Sequence, residues 1–504
     1  MRLKSPFGWS RAAAEGDESR IPYTPWIKFQ RFLNLGSEQG CYVPGEPDFQ
    51  PGLARGTVHC LKTEGPRAVK RAVEVARSGK AAKPEPAVYV LALAVSHGDA
   101  QTRQAAFSAL PQVCRSGASL LQFAAHASSL RGWGRSMRRA VAEWYLGAPI
   151  EDLTLQALRH QQHGGWTHRD VLRLAHPKPP SEAHRALFKW ITDGELTGPN
   201  PTIEAYLRLA ETEDPAEAAR LIARRRLTRD CVPSRLLTHP EVWDALLQDM
   251  PLESVLKNLA NMTRVGLLTE SGAATRLVVQ KLENAALLRR TRIHPVAFPL
   301  AEAAYTRGHR AWEPVARVVE ALRTAFRLAL GSLEPTDRRY VVALDVSGSM
   351  TSSMVGGTAL TAAEAAAALA LSFLAADTEV TVLAFTAGLK PLAFARDTSL
   401  AEAVRLSGEA GFEGTDCAAP MLWAMRNKVE ADVFVVLTDN ETTFRDVHPV
   451  KALRQYRTRT GVPAKLAVVA TTSSGFALSD PEDAAMLDIA GFDLSVPAAL
   501  RAFV

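Results

Sequence analysis

The chain has 504 residues, which at roughly 100–200 residues per domain implies two to four domains. With 47% apolar and 22% charged residues it has the composition of an ordinary globular protein, which excludes a disordered or collagen-like chain and supplies a core that needs no disulfides. Net charge is +6 but unevenly spread: from Arg338 onward 14 basic residues face 19 acidic ones, −5, which leaves +11 on residues 1–337, a surplus that fits either a footprint for a polyanion or a solvated, Arg-rich surface.

The five cysteines, Cys41, Cys60, Cys114, Cys231 and Cys417, are scattered and show no C-x-x-C pairing. That argues against a disulfide framework or a zinc site and predicts a reducing, cytoplasmic setting. Residues 1–20 carry charges throughout, without the apolar core of a signal peptide. The longest apolar run, 362–376, contains Glu364 and falls short of the roughly 18–20 apolar residues of a membrane span, so no membrane partner is expected.

In chain order, prolines at 6, 22, 25, 44, 47 and 51 punctuate the first 55 residues around one helical candidate, 26–35. From about 66 to 330 apolar residues recur at three- and four-residue spacing, as short amphipathic helices require. The segments 87–96, 101–113, 136–146, 151–160, 181–194, 240–249, 251–262 and 311–330 read this way, with Pro84, Pro215, Pro240 and Pro251 where helices can begin. No strong strand stands out there. Many helices of 10–15 residues with short turns predict an all-α, HEAT-like repeat domain over 1–337.

A break at 331–337 (GSLEPTD) changes the grammar. Apolar runs at 339–345, 379–385, 432–438 and 464–470 alternate with helical runs at 361–376, 417–429 and 446–458. Strands apolar on nearly every residue are buried on both faces, so 338–504 reads as a doubly wound, parallel α/β domain. Ligands of such sheets bind beyond the strand carboxyl ends. There the first strand runs into Asp345-Val346-Ser347-Gly348-Ser349, a second loop carries Gly414-Thr415-Asp416, and the third strand ends in Thr438-Asp439. Asp345, Ser347, Ser349, Thr415 and Asp439 make a hard oxygen set suited to a divalent ion, Mg²⁺ or else Mn²⁺. D-x-S-x-S alone is usually only a turn; it gains weight from the other two loops. Asp416 is either an outer-sphere group or a helix N-cap. The chain has no G-x-S-x-G elbow, P-loop or H-E-x-x-H, and the oxygen cluster lacks the base that metal-assisted hydrolysis needs, so a binding protein and not an enzyme is expected.

The oxygen set resembles the metal-ion-dependent adhesion site of von Willebrand factor A domains, where an open coordination position takes an acidic group from a protein partner. Longer strings carry a wider resemblance: RFLNLGSEQGCYV (31–43), WGRSMRRAVAEWY (133–145), GWTHRDVLRLAHPKP (165–179), DVFVVLTDNET (432–442) and DPEDAAMLDIAGFD (480–493), among others, in order along nearly the whole chain. On these the chain resembles the Ro ribonucleoprotein family, defined by the TROVE domain. The resemblance implies a helical-repeat ring that binds small non-coding Y RNAs outside and admits single-stranded ends of misfolded RNAs into its hole. It also implies association with an exoribonuclease such as polynucleotide phosphorylase, bridged by Y RNA.

The densest stretch for RNA is 131–178, where Arg135, Arg138, Arg139, Arg159, His163, His168, Arg169, Arg173, His176 and Lys178 are interleaved with Trp133, Trp144 and Trp166. Cations neutralise phosphates, and guanidinium planes and aromatic faces stack on unpaired bases. The resemblance assigns Arg159, His163 and His176 to Y RNA, with His163 standing where other members commonly carry Arg. Arg135, Arg138 and Arg139 lie at i, i+3 and i+4 of one helical face and are assigned to single-stranded RNA. Against this, Trp144 sits on the apolar face with Val141 and Tyr145 and reads as core, His168 can be a mere helix start, and Arg224-Arg225-Arg226 reads as a solvated helix end. An RNA-binding scaffold, a metal-dependent protein-binding module and a hydrolase are the three classes in play; the charge split favours the first for 1–337, and the second can hold for 338–504 at the same time.

Overall fold

The structure, a computed structural model, describes residues 19–45, 54–307, 311–385, 388–409, 416–439, 447–472 and 478–504. Strands among these are β1 (Cys41–Tyr42), β2 (Gln162–His163), β3 (Trp166–Thr167), β4 (Tyr340–Asp345), β5 (Val380–Phe385), β6 (Leu389–Pro391), β7 (Val433–Thr438), β8 (Lys465–Ala470) and β9 (Met486–Ala490). By contacts the chain divides into two compact units: Phe32–Gly36 with Pro51–Thr275, and Met1–Arg31 with Ser37–Gln50 and Arg276–Val504. That division differs from the change of sequence grammar at 337/338, because three helices before it and the N-terminal segment belong with the sheet.

The first unit is helical apart from the β2–β3 hairpin. Its helices start where the sequence supplies an acceptor for otherwise unpaired N–H groups: the side chains of Asp99, Ser116, Thr167, Ser181 and Asp214 each accept one, and that of Asn200 accepts two. Pro215 and Pro240 open their helices as expected, and Pro84 and Pro251 stand one residue earlier, at the cap. Helix Glu85–His97 is apolar on every side and is buried from Pro86 to Val95, so it forms the centre of the packing. Among the expected segments Ala100–Val113 packs directly on it, and the others appear as Arg135–Gly147, Ile150–Arg159, Glu182–Asp193, Pro240–Asp249 and Leu252–Arg264. The hairpin lies in a stretch that reads as strand-free. It turns on Gly164 (φ 58°) and Gly165 (φ 78°), two left-handed residues in succession, which the twist of a two-residue turn demands.

The second unit is built on a seven-stranded sheet in the order β1-β9-β8-β7-β4-β5-β6, parallel except for the β5–β6 pair. All six residues of β4 and of β7 are buried, as strands covered on both faces must be. On one face Val341, Phe434 and Val436 pack on Met421, Leu453 and Tyr456 of the flanking helices. Chain order reverses at β4: β5 follows on one side, while β7 lies on the other. Asp345 and Thr438 therefore end neighbouring strands at the same edge, the switch point where ligands of such sheets bind.

The N-terminal segment completes this unit. Strand β1 extends the sheet beside β9. Arg31, nearly buried, donates from Nη2 to the carbonyls of Ala484 (3.0 Å) and Met486 (3.1 Å), and Arg20 pairs with Asp480 at 2.8 Å.

Candidate functional site

Helix Arg135–Gly147 buries Met137, Ala140, Val141, Trp144 and Tyr145, so its other face, with Arg135, Arg138 and Arg139, is exposed. Three cations occupy the first turns and no acidic residue offsets them there. A helix N-terminus carries partial positive charge, so this placement costs stability locally and favours an external anion. Trp144 is core, its Nε1 donating to the Cys114 carbonyl at 2.6 Å. Trp133 and Trp166 stack on each other, centroids 5.9 Å apart and planes 23° from parallel, both half-buried.

Arg159 ends helix Ile150–Arg159, and His163 lies on β2 next to the glycine turn, paired across the hairpin with Trp166. Both are exposed. Both also lower the pKa of His160, after the larger effect of its burial, which puts the three side chains in one neighbourhood. His176, exposed, closes helix His168–Ala175 in the left-handed region (φ 46°), and Lys178 is exposed two residues on. Arg169 and Arg173 are exposed but engaged: Arg169 Nε donates to the Ile191 carbonyl (3.4 Å) and Arg173 Nη2 to the Thr192 carbonyl (3.1 Å). They cap the carboxyl end of helix Glu182–Asp193, which sequence spacing did not reveal.

His168 has to be withdrawn from the RNA candidates. It is 2% exposed, shares a 2.6 Å hydrogen bond with the Tyr145 hydroxyl through Nδ1, and lies edge-on to the Tyr145 ring. Burial, with a smaller contribution from His160, pushes it down to about 4, so it is neutral and enclosed at neutral pH. Gly117 makes room for it: a Cβ there would stand 2.8 Å from His168 Nε2.

At the sheet's switch point Asp345 is 2% and Asp439 3% exposed. Asp345 Oδ1 accepts from the Ser347 N–H at 2.8 Å and Oδ2 from the Thr438 hydroxyl at 2.8 Å. The Ser347 and Ser349 hydroxyls lie 3.1 Å apart, and Ser353 donates to Asp439 Oδ2 at 3.3 Å. Burial raises the pKa of Asp345, and the charge of Asp439 adds to that; bonds from Ser347 and Thr438 oppose it. Two buried carboxylates that repel each other, rimmed by hydroxyls, are the donor chemistry a small divalent cation relieves, so these residues fit such an ion. No group of three or more His, Cys, Asp or Glu suited to a metal occurs among the described residues, so an ion here depends on the hydroxyls. Thr415 lies outside the described residues. Asp416 Oδ1 accepts from the Ala418 N–H at 3.0 Å, the local turn that leads into helix Ala419–Asn427. Thr438 and Ser353 are further members of this network; the hydroxyl run 347–353 is the sequence signal for Ser353, and the strand-ending Thr438-Asp439 is the signal for Thr438.

The TROVE-domain model matches residues 13–196 and 207–307, and the Ro60 vWA-domain model matches 339–504. The chain belongs to the Ro60 family. It is 38% identical over 499 residues to the RNA-binding protein RO60 of Deinococcus radiodurans, covering 97% of this chain and 92% of that one. It is 30% identical to the RNA-binding protein RO60 of Caenorhabditis elegans, covering 96% and 88%. The crystal structure of the Deinococcus radiodurans Ro (RSR) protein superposes with a TM-score of 0.88, over 95% of this chain and 99% of that one. The Ro60 family thus accounts for both halves: a TROVE-type helical region followed by a von Willebrand A-type, mostly parallel sheet. No described helix is long and apolar enough to cross a membrane.

Proposed function

We propose that this chain is the RNA-binding core of a Ro-type ribonucleoprotein. RNA binding follows from the family; the finer reading is that it holds a folded Y RNA-type small RNA and single-stranded ends of aberrant RNAs, as a scaffold without catalytic activity of its own. The observation that carries it is the exposed cationic face of 135–178, where Arg135, Arg138 and Arg139 crowd a helix N-terminus with no acidic residue in its first turn. In this reading Arg159, His163, His176 and Lys178 hold the folded RNA, and the three arginines hold the single strand. Arg169 and Arg173 contribute the donors that helix capping leaves over.

The test sets a stem-loop RNA and a single-stranded tail against Arg159→Ala/His176→Ala and against the triple Arg135/Arg138/Arg139→Ala. The double change is expected to weaken the stem-loop more, and the triple change the tail. Equal losses in all four pairs would mean one undivided basic surface. Polynucleotide phosphorylase, if joined through RNA, is expected to co-purify with the chain and to be lost on ribonuclease treatment.

In the sheet unit, Asp345, Ser347, Ser349, Asp439 and Thr415 would hold Mg²⁺. When bound, such an ion supplies a Lewis-acidic position open to a carboxylate of a protein partner. The chain's own part is to fix the donors: Thr438 and the Ser347 N–H orient Asp345, and Ser353 orients Asp439.

A further inference from the structure

We propose that the groove between helix Ala419–Asn427 and helix Pro449–Thr460 in the sheet unit docks a short acidic peptide segment of a partner protein, one that carries an apolar side chain among its carboxylates. The groove is a shallow, open depression of about 670 Å³. It lies apart from the oxygen set at the strand ends and shares no residue with it.

Both walls follow from helical spacing. Leu422, Met425 and Arg426 stand at i, i+3 and i+4 on the first helix; Gln455 and Arg459, four apart, line the second together with Arg454. Leu422 and Met425 are half-buried against the core beneath, so they form an apolar floor that leaves part of each side chain uncovered. Arg426 and Arg459 are exposed at the rim and make no ion pair with a described residue. Arg454 is held in place by Asp480 at 2.6 Å. The second helix is itself anchored: Arg457, pointing the other way, is buried against Asp483 and donates to the Ala464 carbonyl at 2.9 Å. The groove is therefore formed in advance, which lowers the ordering cost of binding.

Charge selects the ligand. Residues 338–504 carry −5 in sum, yet among the described residues three arginines, Arg454 of them paired with Asp480, and no carboxylate line the groove, with Ser19 also lining it. At physiological salt the screening length is about 8 Å, so a ligand confined to the groove meets the arginines, whereas a long polyanion also meets the acidic remainder of the surface. Among the described residues no aromatic side chain lines the groove for base stacking, and Met425 offers the adaptable apolar contact that peptide-binding surfaces use. Arginine forks match carboxylates two by two. Together these favour an acidic peptide with an apolar anchor over RNA.

The test uses the full chain and a fluorescein-labelled 12-residue peptide of Asp, Glu and Leu, with leucines spaced three and four apart. Controls are the same peptide with Ser for Leu, and a labelled oligouridylate of 12 nucleotides. Peptide binding that weakens at least tenfold in Arg426→Glu/Arg459→Glu, with the thermal midpoint and stem-loop RNA binding unchanged, and that weakens also in Met425→Gln with stem-loop RNA binding unchanged, is the expected result. Because the RNA face lies in the other unit, its failure and this one are read separately. Equal peptide affinity in wild type and variants overturns the proposal. So does oligouridylate binding that Arg426→Glu/Arg459→Glu abolishes while the peptide does not compete. Self-association in sedimentation that the same variant abolishes would assign the groove to a second copy and also overturn it.

Discussion

His168 shows how one buried side chain sets both packing and pH response. Its imidazole is held neutral in the folded chain, at about 4, whereas an unfolded histidine titrates near 6.5. Between those values the unfolded state binds the proton and the folded state does not, so stability is intact above about pH 6.5 and is lost as pH falls toward 4. At ~1.4 kcal/mol per pH unit this reaches ~3 kcal/mol. His168→Gln, which keeps a partner for Tyr145, is expected to flatten the fall of the thermal midpoint between pH 6.5 and 4.5; an unchanged slope would place the effect elsewhere. Gly117→Ala pushes a methyl against the same ring and should lower the midpoint at every pH. Asp345 gives the opposite sign. Its raised pKa means that the metal-free chain loses stability as pH rises through that value, and a bound cation restores it. Asp345→Asn is expected to melt at or above wild type in EDTA and to gain nothing from Mg²⁺, while wild type rises. Equal Mg²⁺ stabilisation of both would show that the ion, if any, binds elsewhere.

Among elements, helix Arg135–Gly147 carries the tension between stability and function. Each cation in its first turns opposes the helix dipole by about 0.3–1 kcal/mol, with Arg139 partly offset by Glu143 at 3.8 Å. Replacing Arg135, Arg138 and Arg139 by Gln is expected to raise the thermal midpoint slightly while weakening single-stranded RNA and reducing the salt dependence of its binding by about 0.7 per lost phosphate contact. A variant both less stable and equally tight would contradict the assignment. Elements of this kind are legible in sequence because ten or more residues repeat an apolar face, and the helices at 101–113 and 240–249 lie within a residue of their expected ends. Strands β1, β2 and β3 are two residues each, too short to hold a period. Strand β9 is long enough, but Asp488 interrupts its apolar run. That carboxyl is buried and raised to about 6, and it accepts from the Leu478 and Ser479 N–H groups and the Ser479 hydroxyl, a use that only the folded loop reveals. Likewise the Arg169 and Arg173 caps depend on a helix that starts thirteen residues after Arg169, and the burial of His168 on Tyr145, twenty-three residues away.

At the scale of the whole chain, charge and connectivity divide the molecule differently. The surplus of +11 ends at residue 337, but the sheet unit takes in residues from both termini. Arg20 and Asp480, paired at 2.8 Å, are 460 residues apart, and Arg31 satisfies two carbonyls beside β9 that a truncated chain would leave to water or to each other's repulsion. Removal of a buried charged donor costs on the order of 3 kcal/mol, and loss of β1 bares the edge of β9, an invitation to pair with another chain. A fragment of 338–504 is therefore expected to bind no RNA, as its −5 charge dictates, and also to melt well below the sheet unit of the full chain and to aggregate. A fragment of 276–504 should do the same until a synthetic peptide of residues 19–45 is added, which restores β1, Arg20 and Arg31 and should raise the thermal midpoint in proportion to peptide bound. The same peptide with Arg31→Ala should fail to do so. If 276–504 melts at the same temperature with and without the peptide, the N-terminal segment decorates the sheet and does not complete it.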